Sequence, residues 1–128
     1  MIIDTSAIVA VFLKEPGFET ILEKLLRARG MGVGAPTLVE AGIVLRARAR
    51  LNAVPELVRF VQEVGIAVVP FGDLHWREAV EAYARFGKGR HPAALNFGDC
   101  LAYAVAKLAS QPLLCTGEDF SRTDLELA

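Results

Sequence analysis

Short apolar runs alternate with longer segments of helical spacing along this chain. In Phe18–Arg29, apolar residues recur at the spacing of one helix face. The same pattern predicts further helices over Thr5 or Ser6 to Leu13, Leu38–Leu51, Pro55–Val64, Leu74–Phe86 and Phe97–Ala109. Short apolar runs predict strands at Met1–Ile3, Gly32–Ala35, Ile66–Val69 and Leu113–Cys115.

Three residues mark predicted helix starts. Asp73 and Asn96 are residues of the kind that cap a helix, and each precedes a helical pattern. Pro36 precedes the helix Leu38–Leu51, where a first turn tolerates proline.

Strands that alternate with helices are typical of βαβ units. We therefore expect an α/β fold, a three-layer α/β/α sandwich with a mostly parallel central sheet. The strand runs are wholly apolar, which predicts that the strands are fully buried. The alanine-rich segment Phe97–Ala109 is expected to pack closely on the sheet. At 128 residues, the chain has the length of a single domain, residues 1–128.

Composition narrows the class of protein further. The chain is 53% hydrophobic and 23% charged, which excludes disorder. The net charge of −1 does not decide for or against nucleic acid, because a basic patch can coexist with an acidic pocket. No apolar run approaches the roughly 20 residues of a membrane span, and the N-terminus has no basic segment of a secretory signal. We therefore expect a cytoplasmic protein without membrane contact.

Acidic residues occur where the predicted strands end. Asp4 follows the first strand, Glu40 lies in the first turn after the second, and Asp99 lies in the first turn after Asn96. Glu118 and Asp119 follow the last strand. Because ligands of such folds bind at the carboxyl ends of the strands, we expect these acids to meet there. A divalent cation, Mg²⁺ or Mn²⁺, makes such a cluster of carboxylates tolerable.

Each of these acids also has a purely structural interpretation. Asp4 can be a plain helix cap, and Glu40 and Asp99 can be exposed first-turn acids that favour the helix dipole. Glu118 and Asp119 can form a solvated turn. Only their convergence at one sheet edge distinguishes a site from four unrelated positions.

The acids stand within an ordered set of motifs. These are Asp4-Thr5-Ser6-Ala7, Glu40 after an apolar strand, Leu95-Asn96-Phe97-Gly98-Asp99-Cys100, and Leu113-Leu114 leading into Gly117-Glu118-Asp119-Phe120. Together, over the whole length, they resemble the PIN-domain family, and more closely the VapC-type toxin ribonucleases of type II toxin–antitoxin systems. The resemblance implies a PIN α/β/α fold and an Mg²⁺- or Mn²⁺-dependent endoribonuclease that hydrolyses RNA phosphodiester bonds.

The resemblance also assigns residues. Asp4, Glu40 and Asp99 match the three core catalytic and metal-binding acids, and the fourth maps to Asp119, with Glu118 one residue away. The small hydroxyl residues Ser6 and Thr116 match positions that line the pocket.

Partners follow from the same resemblance. It implies an RNA substrate, a homodimer and a VapB-like antitoxin, which would cover a groove between the helices Phe18–Arg29 and Leu38–Leu51. In the loop before Asn96, Lys88 and Arg90 are candidates to bind RNA phosphates, although a solvated loop explains them equally well. The alternating arginines at positions 46, 48 and 50 do not share a helix face and are interpreted as solubilising and antitoxin-facing charge.

Three other functions remain as alternatives. A phospho-acceptor signalling domain would need a lysine after the last strand, where Cys115-Thr116-Gly117-Glu118 stands. A phosphatase with an Asp-x-Asp pair would need an aspartate at Ser6. A PIN-like module that binds RNA or a partner without cleaving it is disfavoured because the candidate acids are intact.

Overall fold

The computed structural model describes residues 1–128 and has a four-stranded sheet at its centre. The strands are β1 (Ile2–Ile3), β2 (Gly32–Gly34), β3 (Ala67–Val69) and β4 (Leu113–Leu114). Their order is β3-β2-β1-β4, and every pairing is parallel. Beyond β4, the C-terminal segment adds backbone hydrogen bonds to Leu113. The predicted parallel sheet is confirmed.

Six α-helices connect and cover the strands. They are α1 (Thr5–Leu13), α2 (Phe18–Arg27), α3 (Ala35–Ala49), α4 (Ala53–Val64), α5 (Asp73–Phe86) and α6 (Phe97–Ala109), followed by a 3₁₀ helix at Phe120–Arg122. No helix is both long enough and apolar enough to cross a bilayer.

Two hydrophobic cores lie on opposite faces of the sheet. Ile2 and Leu113 pack with α5 and α6, whereas Ile3 and Leu114 pack with α1 to α4. Neighbouring residues of a strand point to opposite faces, so each short central strand contributes to both cores. This arrangement confirms the three-layer α/β/α sandwich.

The close packing expected of α6 depends on small residues on both sides. Ala102, Ala104 and Ala106 are completely or almost completely buried. A Cβ added to Gly34 of β2 would lie 2.9 Å from Val105 Cγ2. Because neither surface carries bulk there, α6 sits directly on the sheet, and its N-terminus is brought to the carboxyl edge.

The structure corrects one expectation about strand burial. In β3, Ala67 and Val68 are exposed, with Val68 49% exposed, although every strand was predicted to be buried. The reason is the strand order, which places β3 at one edge of the sheet.

The helix starts agree with prediction in two cases and differ in a third. The Asn96 side chain caps α6 by accepting the Asp99 N–H, and Pro36 lies in the first turn of α3, as predicted. Asp73 is not the cap of α5 but its first residue, and its carboxylate accepts hydrogen bonds from Trp76 and Arg77.

Candidate active site

Asp4 follows β1 directly and is the N-cap of α1. Its Oδ2 accepts hydrogen bonds from the Ser6 N–H at 2.9 Å and the Ser6 Oγ at 2.6 Å. The Ser6 Oγ in turn accepts the Thr116 N–H at 3.0 Å. Asp4 is only 4% exposed, and a buried carboxylate needs such partners. The cap interpretation of Asp4 therefore holds, and the same bonds fix its carboxylate at the sheet edge.

Asp99 is held in a similar way at the start of α6. Its Oδ2 accepts the Asn96 N–H at 2.9 Å while its own N–H donates to Asn96 Oδ1 at 2.9 Å. This reciprocal pair is a capping box, which fixes the carboxylate relative to the helix end. Neither bond uses Asp99 Oδ1, so that oxygen is available to a ligand.

Glu40 reaches the same place from α3. It lies in the second turn, not the predicted first turn, because α3 begins at Ala35. Its carboxylate rests against Gly98 of α6, where an added Cβ would overlap the Glu40 Oε2. Glycine at position 98 thus permits the carboxylate of one helix to approach the positive N-terminal end of another.

Asp4, Glu40 and Asp99 line one cleft of about 280 Å³. Ser6 and Thr116 line the same cleft. The structure therefore brings together five residues that the sequence singled out, and they come from the end of β1, from α1, α3 and α6, and from the segment after β4.

The carboxylates of the cleft act on one another electrostatically. Burial raises the pKa of Asp99 to about 6, and the charges of Asp4, Asp119 and Glu40 add to this rise, against the lowering effect of the Asn96 hydrogen bond. Burial also raises the pKa of Asp4, with a contribution from Glu40, although hydrogen bonds from Ser6 oppose it. The like charges therefore make ionisation of the cleft costly.

Asp119 and Glu118 differ in their relation to this cleft. Both are exposed and neither lines it. The charge of Asp119 nevertheless raises the pKa of Asp99, while Glu118 is not among the principal causes of that shift. Of the two residues, Asp119 is the one electrostatically coupled to the cleft.

The carboxylates do not form a closed metal cage. No group of three or more His, Cys, Asp or Glu side chains is close enough to bind one ion jointly. The residues that define the cleft are held by hydrogen bonds to Ser6 and Asn96 and by packing against Gly98.

The two cysteines offer no nucleophile. Burial raises the pKa of Cys115 to about 11, with further increases from the charges of Asp4, Asp99 and Asp119. Burial and the charge of Asp99 likewise raise the pKa of Cys100 to about 11. Both thiols are therefore protonated at neutral pH, and a thiol is a poor nucleophile.

The predicted RNA-binding loop lies outside the cleft. Lys88 lines a separate groove with Trp76 and Phe97, and the Arg90 guanidinium carbon lies 5.8 Å from the centre of the Tyr83 ring. Neither basic residue lines the acidic cleft.

One basic residue does line it, and sequence reasoning missed it. Arg48 of α3 lies on the cleft and forms an ion pair with Glu15. The available signal was its spacing, four residues after Val44 and eight after Glu40, which places all three on one helix face.

Two apolar grooves lie beside the site. One, of about 720 Å³, runs between α3 and α6, and another, of about 630 Å³, runs between α5 and α6. Phe97, which is 79% exposed, and Leu101 line both. No residue of α2 lines either groove, so the apolar groove expected beside Phe18–Arg29 is found on another side of α3.

Comparison with known proteins places the chain in a family. The model of the PIN domain matches residues 1–126. VapC ribonuclease Mb2004c of Mycobacterium bovis is 46% identical over 127 residues, which cover 98% of this chain and 91% of that protein. Ribonuclease VapC42 of Mycobacterium tuberculosis is 38% identical over 129 residues, which cover 100% of this chain and 98% of that protein. The chain therefore belongs to the PIN-domain family and, within it, to the VapC ribonucleases.

Solved structures agree on the fold. Mycobacterium tuberculosis VapC20, described as a toxin that cleaves the sarcin-ricin loop, has a TM-score of 0.82 at 16% identity and covers 99% of this chain and 97% of its own. A toxin–antitoxin complex from Klebsiella pneumoniae has a TM-score of 0.72 at 13% identity, covering 99% and 95%. At these identities the likeness establishes the shared fold.

Proposed function

We propose that this protein is an Mg²⁺- or Mn²⁺-dependent endoribonuclease and the toxin of a type II toxin–antitoxin pair. The observation that carries the proposal is the acidic cleft, which Asp4, Glu40 and Asp99 line together. Family membership supplies the reaction class, hydrolysis of RNA, and the cleft supplies the acids that such a reaction needs.

The donor chemistry of the cleft fits a hard divalent cation. All of its candidate ligands are oxygen atoms, which Mg²⁺ and Mn²⁺ prefer. Mg²⁺ keeps several waters and usually binds through one or two carboxylates, so no three-carboxylate cage is required. Asp4 and Asp99 would hold the ion directly, Glu40 would act through water, and Asp119 would complete the outer ring. The bound ion would neutralise charge that develops during phosphodiester hydrolysis and lower the pKa of a coordinated water.

The chain's own residues orient these carboxylates. Ser6 donates to one oxygen of Asp4, and the Asn96 N–H donates to one oxygen of Asp99, so both carboxylates are held in fixed positions in the cleft. Glu40, held against the first turn of α6, is placed to orient the attacking water and accept its proton.

Cleavage of a randomised single-stranded RNA by the purified protein tests this function. We expect cleavage with Mg²⁺ or Mn²⁺, none in excess EDTA, and a loss of roughly a thousandfold in Asp99→Asn. Asp73→Asn is the matched control, because Asp73 is an exposed aspartate in the first turn of α5. Robust cleavage in EDTA would overturn the mechanism. RNA binding without cleavage, with metal bound, would support the alternative of a non-cleaving module.

We further propose that the Phe97 face joins two copies of the chain. Phe97 projects between two apolar grooves that it helps to line, so under two-fold symmetry the ring of each copy can enter a groove of the other. An exposed apolar surface of this extent is typical of an interface.

Light scattering after size-exclusion chromatography measures this association. Wild type should elute as a dimer and Phe97→Asp as a monomer, because a charge in the shared grooves would be buried unpaired. Val54→Asp is the control, since Val54 is 72% exposed on α4 and lines neither groove. If the Phe97→Asp variant still elutes as a dimer, the Phe97 face is not the interface between the two copies.

The remaining partner is a VapB-like antitoxin. Its proposal rests on the VapC relatives and on the Klebsiella pneumoniae neighbour, which is a toxin–antitoxin complex. The product of a small reading frame beside this gene should bind the protein and stop RNA cleavage. Cleavage that persists at saturating binding would contradict an antitoxin role.

A further inference from the structure

The acidic cleft has a single basic residue among those that line it, Arg48. Glu40, Val44 and Arg48 follow one another at intervals of four along α3, and all three line the cleft. At about 1.5 Å per residue, Arg48 begins roughly 12 Å along the helix axis from Glu40. Its Cα–Cβ bond tilts toward the N-terminal side of α3, on which Glu40 lies, as do all Cα–Cβ bonds of a helix.

The guanidinium is oriented by a residue from another element. Arg48 Nη1 lies 3.1 Å from Oε1 of Glu15, which follows the end of α1. This is the one hydrogen bond that the Arg48 side chain makes, so its other N–H groups remain free. A guanidinium held from one side presents its remaining donors in a fixed fork, the geometry that binds a phosphate through two bonds.

This ion pair differs from the others in the molecule. Three of the remaining five join residues four apart on one helix, and the other two share Asp124. The Arg48–Glu15 pair instead links α3 to the end of α1 across the rim of the cleft. The side chains are 55% and 38% exposed, and an exposed pair contributes little to stability.

We propose that Arg48, oriented by Glu15, binds an RNA phosphate that flanks the cleaved bond. The inference rests on the proposed ribonuclease function and deepens it, since it assigns a substrate-binding residue beyond the acids. A strand whose scissile phosphate lies at Asp4 and Asp99 continues along the face of α3 toward Arg48. Arg48 thus supplies positive charge on a rim that otherwise repels RNA, and Glu15 is a positioning residue.

Arg48→Gln and Arg46→Gln form the matched pair of variants that tests this role. Both remove a positive charge from the last turn of α3, but Arg46 does not line the cleft. With randomised single-stranded RNA and Mg²⁺, we expect Arg48→Gln to raise KM about tenfold with little change in kcat, because one phosphate contact is lost. In a plot of the logarithm of the RNA-binding constant against the logarithm of the salt concentration, the slope should become about one unit less steep in Arg48→Gln alone. We call this the salt slope. Equal KM values and salt slopes in the two variants would overturn the proposal.

Two further variants separate charge from orientation. Arg48→Lys should restore the salt slope but not the full affinity, because a lysine lacks the planar fork. Glu15→Gln should raise KM by a few fold and leave the salt slope unchanged, and Glu15→Asp should recover part of that loss. A reduced salt slope in Glu15→Gln would contradict a positioning role.

Fluorescence anisotropy with labelled randomised RNA in EDTA keeps this test independent of cleavage. If wild type cleaves no RNA, the proposed function fails, while the anisotropy of Arg48→Gln against Arg46→Gln still decides whether Arg48 binds phosphate. Once a cleaved position is mapped, one neutral methylphosphonate at a flanking position should weaken wild-type binding and leave Arg48→Gln unaffected. Equal weakening in both would exclude the contact.

Discussion

Two aspartates meet helix α6 near its opposite ends, and their surroundings shift their pKa values in opposite directions. Burial and the charges of Asp4, Asp119 and Glu40 raise the pKa of Asp99 to about 6. Burial also raises that of Asp124, but hydrogen bonds from Lys107 and Tyr103, with the charges of Lys107 and Arg85, lower it to about 2.

The difference lies in what surrounds each carboxylate. Asp124 accepts hydrogen bonds from the Tyr103 hydroxyl at 2.6 Å and Lys107 Nζ at 2.8 Å, so its charge is matched within the chain. Asp99 has a backbone hydrogen bond but only acidic neighbours among the charges that act most strongly on it. The charge of Asp124 is therefore matched by cations of the chain at one end of α6, whereas the charge of Asp99 at the other end is not.

A large effect on cleavage, smaller only than that of Asp99→Asn, is expected from displacing Glu40 from the Asp99 end. In Gly98→Ala the new Cβ would overlap the Glu40 carboxylate, so we expect RNA cleavage to fall about a hundredfold. Alanine is more favourable than glycine within a helix by about 1 kcal/mol. We therefore expect the free energy of unfolding to change much less than the rate of RNA cleavage. Gly30→Ala is the control, because nothing lies within 4 Å of its added Cβ. Unimpaired cleavage by Gly98→Ala would remove Glu40 from the site.

A crossed pair of amide variants sharpens the contrast. Asp99→Asn removes a repelled charge and should raise the free energy of unfolding by about 1 kcal/mol at neutral pH while cleavage is lost. Asp124→Asn should lower it by about 1 kcal/mol, a value reduced for solvent exposure, and leave cleavage intact. Urea unfolding in EDTA measures both. If both variants changed the free energy of unfolding in the same direction, the two ends of α6 would not differ in electrostatic balance.

The pH dependence of stability gives the smallest effect. Asp124 has a folded pKa of about 2, below its unfolded value of about 3.9, so its contribution is present above pH 4 and lost as pH falls through 2. Asp99 has a folded pKa of about 6, above its unfolded value, so stability falls as pH rises from about 4 to 6. In EDTA, Asp99→Asn should remove the pH dependence of the free energy of unfolding between about pH 4 and 6. Asp124→Asn should remove it between about pH 2 and 4. An unchanged profile in either variant would contradict that assignment.

Local signals explain how much of the fold could be predicted. The cap of α6 is fixed by Asn96 and Asp99, which lie three residues apart and therefore appear in any short window of the sequence. The exposure of β3 could not be predicted from such local signals. Val68 is apolar, and only the order of the strands places β3 at an edge of the sheet.

The site residues also differ in whether local sequence patterns could predict them. The end of β1 locates Asp4 and the Asn96 cap locates Asp99, since both follow local patterns, and the fold brings them to one edge of the sheet. The spacing of Arg48, eight residues after Glu40, places both on one helix face, but its contact with Glu15 of another element is a tertiary property. The contact with Glu15 distinguishes Arg48 from Arg46 and Arg50.

The Ser6 hydroxyl ties two chain segments that are distant in sequence. It donates to Asp4 and accepts from the backbone of Thr116, three residues before Asp119. A substitution at position 6 would therefore change the distance between Asp4 and Asp119 without removing any carboxylate from the chain. The shape of the acidic cleft thus depends on a hydroxyl group that carries no charge of its own.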